Sequence, residues 1–331
     1  MPGELTPGLV AVLVLVLAAE FVNGWTDAPN AIATVVSTRV LSPRRAVLLA
    51  TLLNIAGAFS GTAVAVTIGT GIVDASVINL LTIAAAMVAI VSWSTLAAHF
   101  GLPTSESHAL AAGLAGAGLA TAGPSVLLWA GWQKILIGLF FSTVLGFLGG
   151  GLIVIAIYRI FQRWHPGAVR RLFSKLQILS AAFMAFGHGS NDGQKFIGVF
   201  ALALVLGGIL PSFSIPYEVI LVCAVVMGVG TSIGGWRIIR TMGMRMVKLE
   251  VHQGFAAETG AAGVIQIASI FGIPLSTTHT INTSIMGVGS MKRLSAVNWG
   301  VSRQIVLAWI LTFPVCGAIS WGVTTIAMRI F

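Results

Sequence analysis

The sequence predicts an all-α polytopic membrane protein, an inverted-topology repeat with broken helices and two re-entrant elements that carry proline, serine and histidine. Three observations support this fold class. The mean hydropathy is +0.99 and only 8% of the residues are charged, against roughly 25% in ordinary soluble domains. Two polar motifs each occur twice within apolar sequence. Most basic residues fall in four short segments between the apolar runs.

The apolar runs are long enough to form transmembrane helices. Stretches such as Ala46–Val66, Tyr217–Gly235 and Gln304–Met328 reach the roughly 18 residues that a helix needs to cross a hydrocarbon core about 30 Å thick. No basic segment precedes the apolar stretch that starts at Leu9, so we interpret that stretch as the first span and not as a cleaved signal. The two cysteines lie inside apolar runs and predict no disulfide framework.

The basic residues indicate the topology, because cytoplasmic loops are enriched in lysine and arginine. Four segments that hold 15 of the 18 such residues are assigned to the cytoplasm: 39–45, 159–175, 237–248 and 292–303. Four segments without any are assigned to the outside: 1–8, 70–78, 122–128 and 211–217. Both termini are thus predicted to lie outside. Since the net charge of +9 is spread over these loops, it does not predict nucleic-acid binding.

This assignment places the two halves of the chain upside down relative to each other. In the first half, segment 39–45 is inside and 70–78 is outside, whereas in the second half 211–217 is outside and 237–250 is inside. We therefore predict a first membrane repeat over residues 1–158, a basic cytoplasmic linker over 159–176, and a second, inverted repeat over 177–331. Inverted repeats of this kind are typical of secondary transporters.

The first repeated motif predicts an anion site. Gly101–His108 and Gly272–His279, which start 171 residues apart, share the pattern G-x-P-x-S-x-S/T-H. Proline ends one helix and a small hydroxylated residue caps the next, and helix N-termini inside a membrane favour an anion. Neutral donors of this kind suit a small oxyanion that must also leave. The predicted substrate-binding residues are Thr104, Ser105, Ser107, Ser276, Thr277 and Thr278.

The second repeated motif predicts a cation site. Asn23–Asp27 precedes His188–Asp192 by 165 residues, and the apolar stretch 9–38 is too long for one straight span, so we expect a helix break at Asn23–Asn30. Oxygen ligands suit hard cations, and a carboxylate in the membrane is costly unless it is neutralised. The predicted cation-binding or proton-binding residues are Asn23, Asp27 and Asn30 in the first segment and Asn191, Asp192 and Gln194 in the second, which also contains Lys195.

Several alternatives remain open for these residues. Asp27 and Asp192 could be structural, each paired with a distant lysine or histidine. His108 and His279 could either stabilise the helix break by hydrogen bonds or handle protons. An intramembrane hydrolase is disfavoured because Ser107 and His108 are adjacent and face different ways on a helix. An anion channel is disfavoured because it would not need duplicated carboxylates. We therefore predict that the chain is not an enzyme.

In these motifs the chain resembles the inorganic phosphate transporters of the PiT type. The matching segments are Asn23–Thr34, Pro103–His108, Gly189–Lys195, Gly254–Thr259 and Pro274–His279, and the resemblance extends from about residue 9 to 328. It implies a homodimer in the lipid bilayer that moves inorganic phosphate together with a cation. The residues that the resemblance assigns to phosphate are Thr104, Ser105, Ser276 and Thr277. Those that it assigns to the cation are Asp27, Asn30, Asn191 and Asp192.

One departure bears on the coupling ion. Sodium-driven members of the family usually carry an Asn-Asp pair in both segments, whereas the first segment here has Thr26-Asp27. The chain is therefore more similar to the bacterial, proton-driven branch, which can move phosphate as a neutral complex with a divalent metal. This similarity implies proton carriers among Glu20, Asp27, Asp192 and Glu258, with Asp27 and Asp192 also the candidate metal ligands.

The resulting expectation is a proton-coupled phosphate symporter of a bacterial or archaeal plasma membrane, with no permanently bound cofactor. A carboxylate-lined site repels a phosphate dianion until protons or metal ions neutralise it, which is the physical reason for coupling. Sodium coupling and sulfate transport by the same fold remain alternatives. Phosphate is favoured over sulfate because it carries a titratable proton near neutral pH and can donate a hydrogen bond to a carboxylate.

Overall fold

The computed structural model describes residues 4–330. Within this range the chain is helical and has no β-strand beyond two isolated bridges, which confirms the all-α class. The helices are α1 (Pro7–Ser37), α2 (Pro43–Ala58), α3 (Ala63–Gly71), α4 (Leu80–His99), α5 (Glu106–Ala122), α6 (Trp129–Phe161), α7 (Pro166–His188), α8 (Gln194–Leu206), α9 (Tyr217–Ile233), α10 (Trp236–Arg240), α11 (Val251–Ile270), α12 (Thr277–Lys292) and α13 (Trp299–Ile330).

The helices have the lengths and surfaces of a polytopic membrane protein. Among the described residues, α1, α4, α6 and α13 are long and apolar enough to cross a membrane. Two bent units also qualify as spans, namely α2 with α3, bent by 68°, and α9 with Trp236–Met246, bent by 57°. Large apolar side chains such as Phe140, Leu152 and Ile310 are more than 60% exposed, as expected for helices whose outer faces contact lipid.

The packing follows a twofold correspondence between the halves. Helix α5 packs against α13, and its counterpart α12 packs against α6. Likewise α1 packs against α9, while α7 packs against α2. The two β-bridges, Val73 with Leu127 and Val247 with Val297, also occupy corresponding places. The internal repeat is therefore visible in the packing. Its inverted orientation, the domain boundaries and the outside location of the termini stay predictions, and residues 1–3 and 331 lie outside the described range.

The predicted helix break at Asn23–Asn30 is wrong. Helix α1 runs without interruption from Pro7 to Ser37 and contains Pro29. Proline removes one backbone hydrogen bond, and the continuous helix satisfies the other backbone groups of this buried segment internally. In the second half, α7 continues through one π-helical turn, Gly189–Gly193, directly into α8. The breaks that bend the fold lie instead between α2 and α3 and between α9 and α10.

Two predicted loops are also largely helical. The segment 237–250 contains most of α10 and a π-helical turn, Thr241–Met246. Within the predicted linker 159–176, only residues 162–165 lie outside helices, because α6 continues to Phe161 and α7 begins at Pro166. The side chain of His165 caps α7 by accepting a hydrogen bond from the amide of Gly167 at 3.2 Å. Pro166 is the first residue of α7 and favours a helix start inside the predicted linker.

Candidate functional site

The two Pro–Ser–His elements have the same local structure. In each, a helix ends just before a glycine with positive φ, 70° at Gly101 and 63° at Gly272, and an extended stretch leads into the next helix. Ser105 caps α5 by accepting a hydrogen bond from the amide of His108 at 3.4 Å. Ser276 caps α12 by accepting one from the amide of His279 at 3.1 Å. The predicted helix ends and N-caps are thus present in both elements.

The N-termini of α5 and α12 meet inside the protein. The rings of His108 and His279 contact each other edge to face, with centroids 4.4 Å apart, and His279 stacks on Trp309 at 3.7 Å. Neither histidine ring has a hydrogen-bond partner among the described residues. These histidines therefore contact each other by aromatic packing across the two elements and, within residues 4–330, do not form the hydrogen bonds across the break that one of the alternatives predicted.

A charged cluster lies next to these N-termini. Nε2 of His188 is 3.2 Å from one carboxylate oxygen of Asp192 and 3.9 Å from one of Asp27, and the three ligating atoms lie within 4.8 Å of one another. Thr277 donates a hydrogen bond to Asp192 at 2.5 Å, and Thr278 donates one to Asp27 at 3.2 Å. The first two residues of α12 thus link the aspartates of both halves.

Lys195 completes the cluster from the second half. It forms an ion pair with Asp192, and its Nζ donates to the hydroxyl of Ser107 at 2.5 Å and to the carbonyl of Leu275 at 2.8 Å. Asn30 reaches the same place from α1 through hydrogen bonds to Thr278 at 2.9 Å and Thr277 at 3.3 Å. Asp192 is therefore paired with basic residues, His188 and Lys195, as the alternative of a purely structural aspartate predicted. Both partners, however, are close to Asp192 in the sequence and not distant from it.

In the described part of the chain, four of the predicted coupling residues form no hydrogen bond with this cluster, namely Asn23, whose amide donates to Glu20, and Asn191, Gln194 and Glu258. Asn191 donates to Ser269 at 3.0 Å and to the carbonyl of Ile273 at 3.2 Å, and Gln194 accepts from the amide of Val64 at 3.0 Å. These three hydrogen bonds attach the segment to the end of α11 and to the start of α3. Glu258 forms a separate buried cluster, in which its carboxylate accepts hydrogen bonds from the three side chains of Thr34, Gln177 and Ser180.

The six residues predicted to bind phosphate through their hydroxyls differ in their contacts. Ser107, Thr277 and Thr278 contact the charged cluster, as described above, whereas the side chains of Ser105 and Ser276 cap helices. Thr104 is buried at the same turn as Ser105. All six are at most 7% exposed, and Asp27, His188, Asp192 and Lys195 are at most 2% exposed. The site is therefore closed to solvent in this conformation.

Sequence reasoning missed two further polar residues of the site. Glu106, which is 1% exposed, accepts a hydrogen bond from Thr26 at 3.1 Å. Asn54 orients His188, with Oδ1 3.3 Å from Nδ1 of the imidazole. Glu106 could have been found from the repeat, because it occupies the position that Thr277 has in the second element. Glu20, a predicted proton carrier, accepts from Asn23 at 3.0 Å and is fully buried.

An all-helical membrane protein with a closed, charged site where two duplicated elements meet has the architecture of a membrane transporter. A model of the phosphate transporter family matches residues 23–169 and 162–320. The chain belongs to the phosphate transporter family and is not an enzyme.

Relatives and a solved structure agree with this assignment. The chain is 44% identical to a "probable low-affinity inorganic phosphate transporter" of Rhizobium meliloti (strain 1021), over 95% of either chain. It is 37% identical to a protein of the same description from Bacillus subtilis (strain 168), over 94% of this chain and 96% of that one. A solved structure described as the sodium-dependent phosphate transporter superposes with a TM-score of 0.89 at 25% identity, over 98% of this chain and 100% of that one.

Proposed function

We propose that this protein is a secondary-active symporter that moves inorganic phosphate across the plasma membrane together with protons. The observation that carries the proposal is the pair of hydrogen bonds from Thr277 to Asp192 and from Thr278 to Asp27. These bonds connect the helix N-terminus that would bind an anion to the two carboxylates, of which Asp27 would bind the coupled proton. Transport of phosphate by the relatives, as their descriptions state it, supports the choice of substrate.

The hydrogen bonds suggest how proton binding and phosphate binding depend on each other. An ionised carboxylate only accepts hydrogen bonds, whereas a protonated one also donates. While Asp27 is ionised, it holds the hydroxyl of Thr278, and its negative charge repels phosphate. Protonation of Asp27 removes both obstacles, because the repulsion falls and the hydroxyl of Thr278 is free to turn toward the anion.

The charged cluster also fits a divalent metal as part of the cargo. Carboxylate oxygens with one imidazole nitrogen form a donor set that divalent metals accept, and Asp27, His188 and Asp192 offer it at short mutual distances. We propose that a neutral metal–phosphate complex is carried in this way, with Asp27 and Asp192 as the ligands. Such a complex would lower the cost of bringing phosphate into a buried, acidic site.

Sodium coupling is the second candidate, and two observations favour it. The superposed solved structure is described as sodium-dependent. In addition, buried oxygens of Asn23, Asp27 and Asn30 have no hydrogen-bond partner among residues 4–330, and such oxygens are the ligands that hard cations prefer. A homodimer and an inside location of the basic loops complete the proposal, on the strength of the family resemblance and of the positive-inside rule.

Uptake of radiolabelled phosphate into proteoliposomes tests this function. We expect accumulation under an inward proton gradient, no requirement for sodium, and little inhibition by a large excess of sulfate. Accumulation that requires a sodium gradient would replace the proton by sodium and leave the substrate unchanged. Sulfate uptake without phosphate uptake would contradict the proposed substrate. Added Mn²⁺ or Mg²⁺ that accelerates phosphate uptake, and is itself taken up, would support the metal–phosphate cargo.

A further inference from the structure

The two halves of the site carry the same acid but different partners for it. Repeat spacings of 165 and 171 residues align the polar residues of α1 and α5 with those of the α7–α8 segment and α12. The aligned pairs are Asn23 with His188, Asp27 with Asp192, Asn30 with Lys195, and Glu106 with Thr277. The aspartate is thus duplicated, whereas two amides of the first half are replaced by bases in the second.

In the second half the carboxylate of Asp192 is fully partnered. Lys195 and Thr277 donate to its two oxygens, and Nε2 of His188 lies 3.2 Å away. The ammonium group of Lys195 is itself saturated, because its three N–H donors meet three acceptors, on Asp192, Ser107 and Leu275. Lys195 is 0% exposed, and a buried ammonium without such partners would be very costly.

In the first half the acceptors outnumber the donors. Among the buried side-chain oxygens without a hydrogen-bond partner within residues 4–330, five belong to α1 or to the first residue of α5: Glu20 Oε1, Asn23 Oδ1, Asp27 Oδ2, Asn30 Oδ1 and Glu106 Oε2. In the described part of the second half Asn191 Oδ1 and Asn282 Oδ1 also lack a partner, but neither oxygen of Asp192 does. Among residues 4–330 no lysine or arginine forms an ion pair with these residues, and His188, which lies 3.9 Å from Asp27, is shared with Asp192. Buried acceptors of this kind need a donor or a cation.

We propose that Lys195 is a tethered counter-cation, which holds permanently at the second half of the site the charge that a coupling cation brings to the first half during transport. The inference rests on the proposed function, since it assigns the coupling cation to the oxygens around Asp27 and Glu106. The second aspartate accordingly takes up no coupling proton or sodium ion of its own. Removing the lysine side chain should open a second cation site next to Asp192.

Lys195→Asn tests this inference, because it places in the second half the residue that Asn30 provides in the first. Without added sodium, phosphate uptake should fall by roughly a hundredfold, as expected when a buried charge loses its partner. Millimolar sodium should restore much of that uptake, and the charge moved per phosphate, measured from reversal potentials of the proteoliposomes, should rise by one. Lys195→Arg, which keeps the charge, should need no sodium and should move the wild-type charge per phosphate.

The matched control is Lys292→Asn, which removes a half-exposed lysine at the end of α12 and should transport as the wild type does. Thermal unfolding in detergent without phosphate gives a readout that does not depend on transport. Sodium should raise the Tm of Lys195→Asn by more than that of the wild type.

The inference is overturned if Lys195→Asn keeps the wild-type rate and charge, or if sodium restores neither its uptake nor its Tm. Absence of phosphate uptake by the wild type would refute the proposed function instead, and the Tm comparison would still decide the inference.

Discussion

Thr278, the second residue of α12, donates a hydrogen bond to Asp27 in α1 across 251 residues of sequence, at 3.2 Å. This hydrogen bond therefore joins the N-terminus of α12, in the second Pro–Ser–His element, to the carboxylate of Asp27 in the first half. Asn30 donates to the same hydroxyl at 2.9 Å, so the position of Thr278 is fixed by two residues one helical turn apart on α1. Both motifs consequently act on one buried site.

Replacement of Asp27 by asparagine should abolish phosphate uptake while the protein still inserts and folds. The amide keeps the size of the side chain but cannot take up a coupled proton, and no fixed lysine loses its partner. Radiolabelled uptake, with the amount of inserted protein measured by immunoblot, checks this. The control is Asp74→Asn, at an exposed loop position, which should transport normally. Normal uptake by Asp27→Asn would remove the carboxylate from the mechanism.

The equivalent change at Asp192 should have an additional structural cost. Asp192→Asn leaves the ammonium of Lys195 buried without its anion, and breaking a buried ion pair typically costs about 3–5 kcal/mol. We therefore expect loss of uptake together with a clearly lower Tm in detergent, whereas Asp27→Asn should unfold near the wild-type temperature. Equal Tm values for the two variants would argue that Lys195 is not held by Asp192.

Thr278→Val should weaken phosphate transport without changing the packing volume. The substitution removes the donor to Asp27 and an acceptor for Asn30, so two buried polar groups lose a partner at a cost of about 1–3 kcal/mol each. We expect uptake at low phosphate to fall by roughly tenfold to a hundredfold. Thr70→Val, at an exposed position of α3 whose hydroxyl only bonds its own helix, is the matched control. An unaltered dependence on phosphate concentration would exclude Thr278 from the substrate site.

Glu258→Gln separates proton coupling from substrate binding. Glu258 lies in its own buried cluster with Thr34, Gln177 and Ser180, away from the hydroxyls predicted to bind phosphate. If Glu258 carries a coupled proton, the glutamine variant should still exchange internal for external phosphate but should no longer accumulate phosphate against a gradient. Parallel exchange and accumulation assays check this, and full accumulation by the variant would rule Glu258 out as a proton carrier.

A close contact between helices of the two halves depends on a glycine. A methyl group on Gly287 of α12 would collide with the backbone carbonyl of Phe147 on α6, whereas a methyl group on Gly263 of α11 would meet nothing within 4 Å. Gly287→Ala should therefore destabilise the protein by about 1–3 kcal/mol, as overpacking usually does. Gly263→Ala should be neutral or slightly stabilising. Thermal unfolding in detergent compares them, and equal Tm values would contradict the close contact.

The ion pair between Lys292 and Glu250, 2.8 Å apart outside the spans, should have little effect on stability. A hydrogen bond from Lys292 lowers the pKa of Glu250 below its usual value of 4.5, so the stabilisation is present above that value and is lost as the pH falls through the lowered pKa. Because both side chains are about half exposed, the contribution should stay below about 1 kcal/mol. A Tm difference between wild type and Lys292→Asn that is large at neutral pH would contradict this.

Local rules sufficed to predict the helix starts in the two Pro–Ser–His elements. The prolines predicted that no helix continues through these elements, although α4 and α11 already end before Gly101 and Gly272. Ser105 and Ser276 begin new helices because their side chains cap free amides. The convergence of Ser107 and Thr278 on one site followed from the repeat. These features depend on a few adjacent residues and on the duplication, both of which are readable in the sequence.

Features set by long-range packing were not predictable in the same way. The helix over Asn23–Asn30 stays intact although it contains Pro29, because neighbouring helices enclose it and a break would expose unsatisfied backbone groups. The partner of Glu106 is Thr26, 80 residues away, and no local pattern specifies such a contact. The separate location of Glu258 likewise depends on how α1, α7 and α11 pack together.

Proton-coupled phosphate symport is tested most directly by measuring whether protons enter together with phosphate. Proteoliposomes loaded with a pH-sensitive dye, at equal internal and external pH and without sodium, should show acidification of the lumen when phosphate is added outside. The acidification should follow the uptake of radiolabelled phosphate in time and should disappear in Asp27→Asn. Phosphate entry without any change of internal pH, or entry only when sodium is present, would contradict proton-coupled phosphate symport through this site.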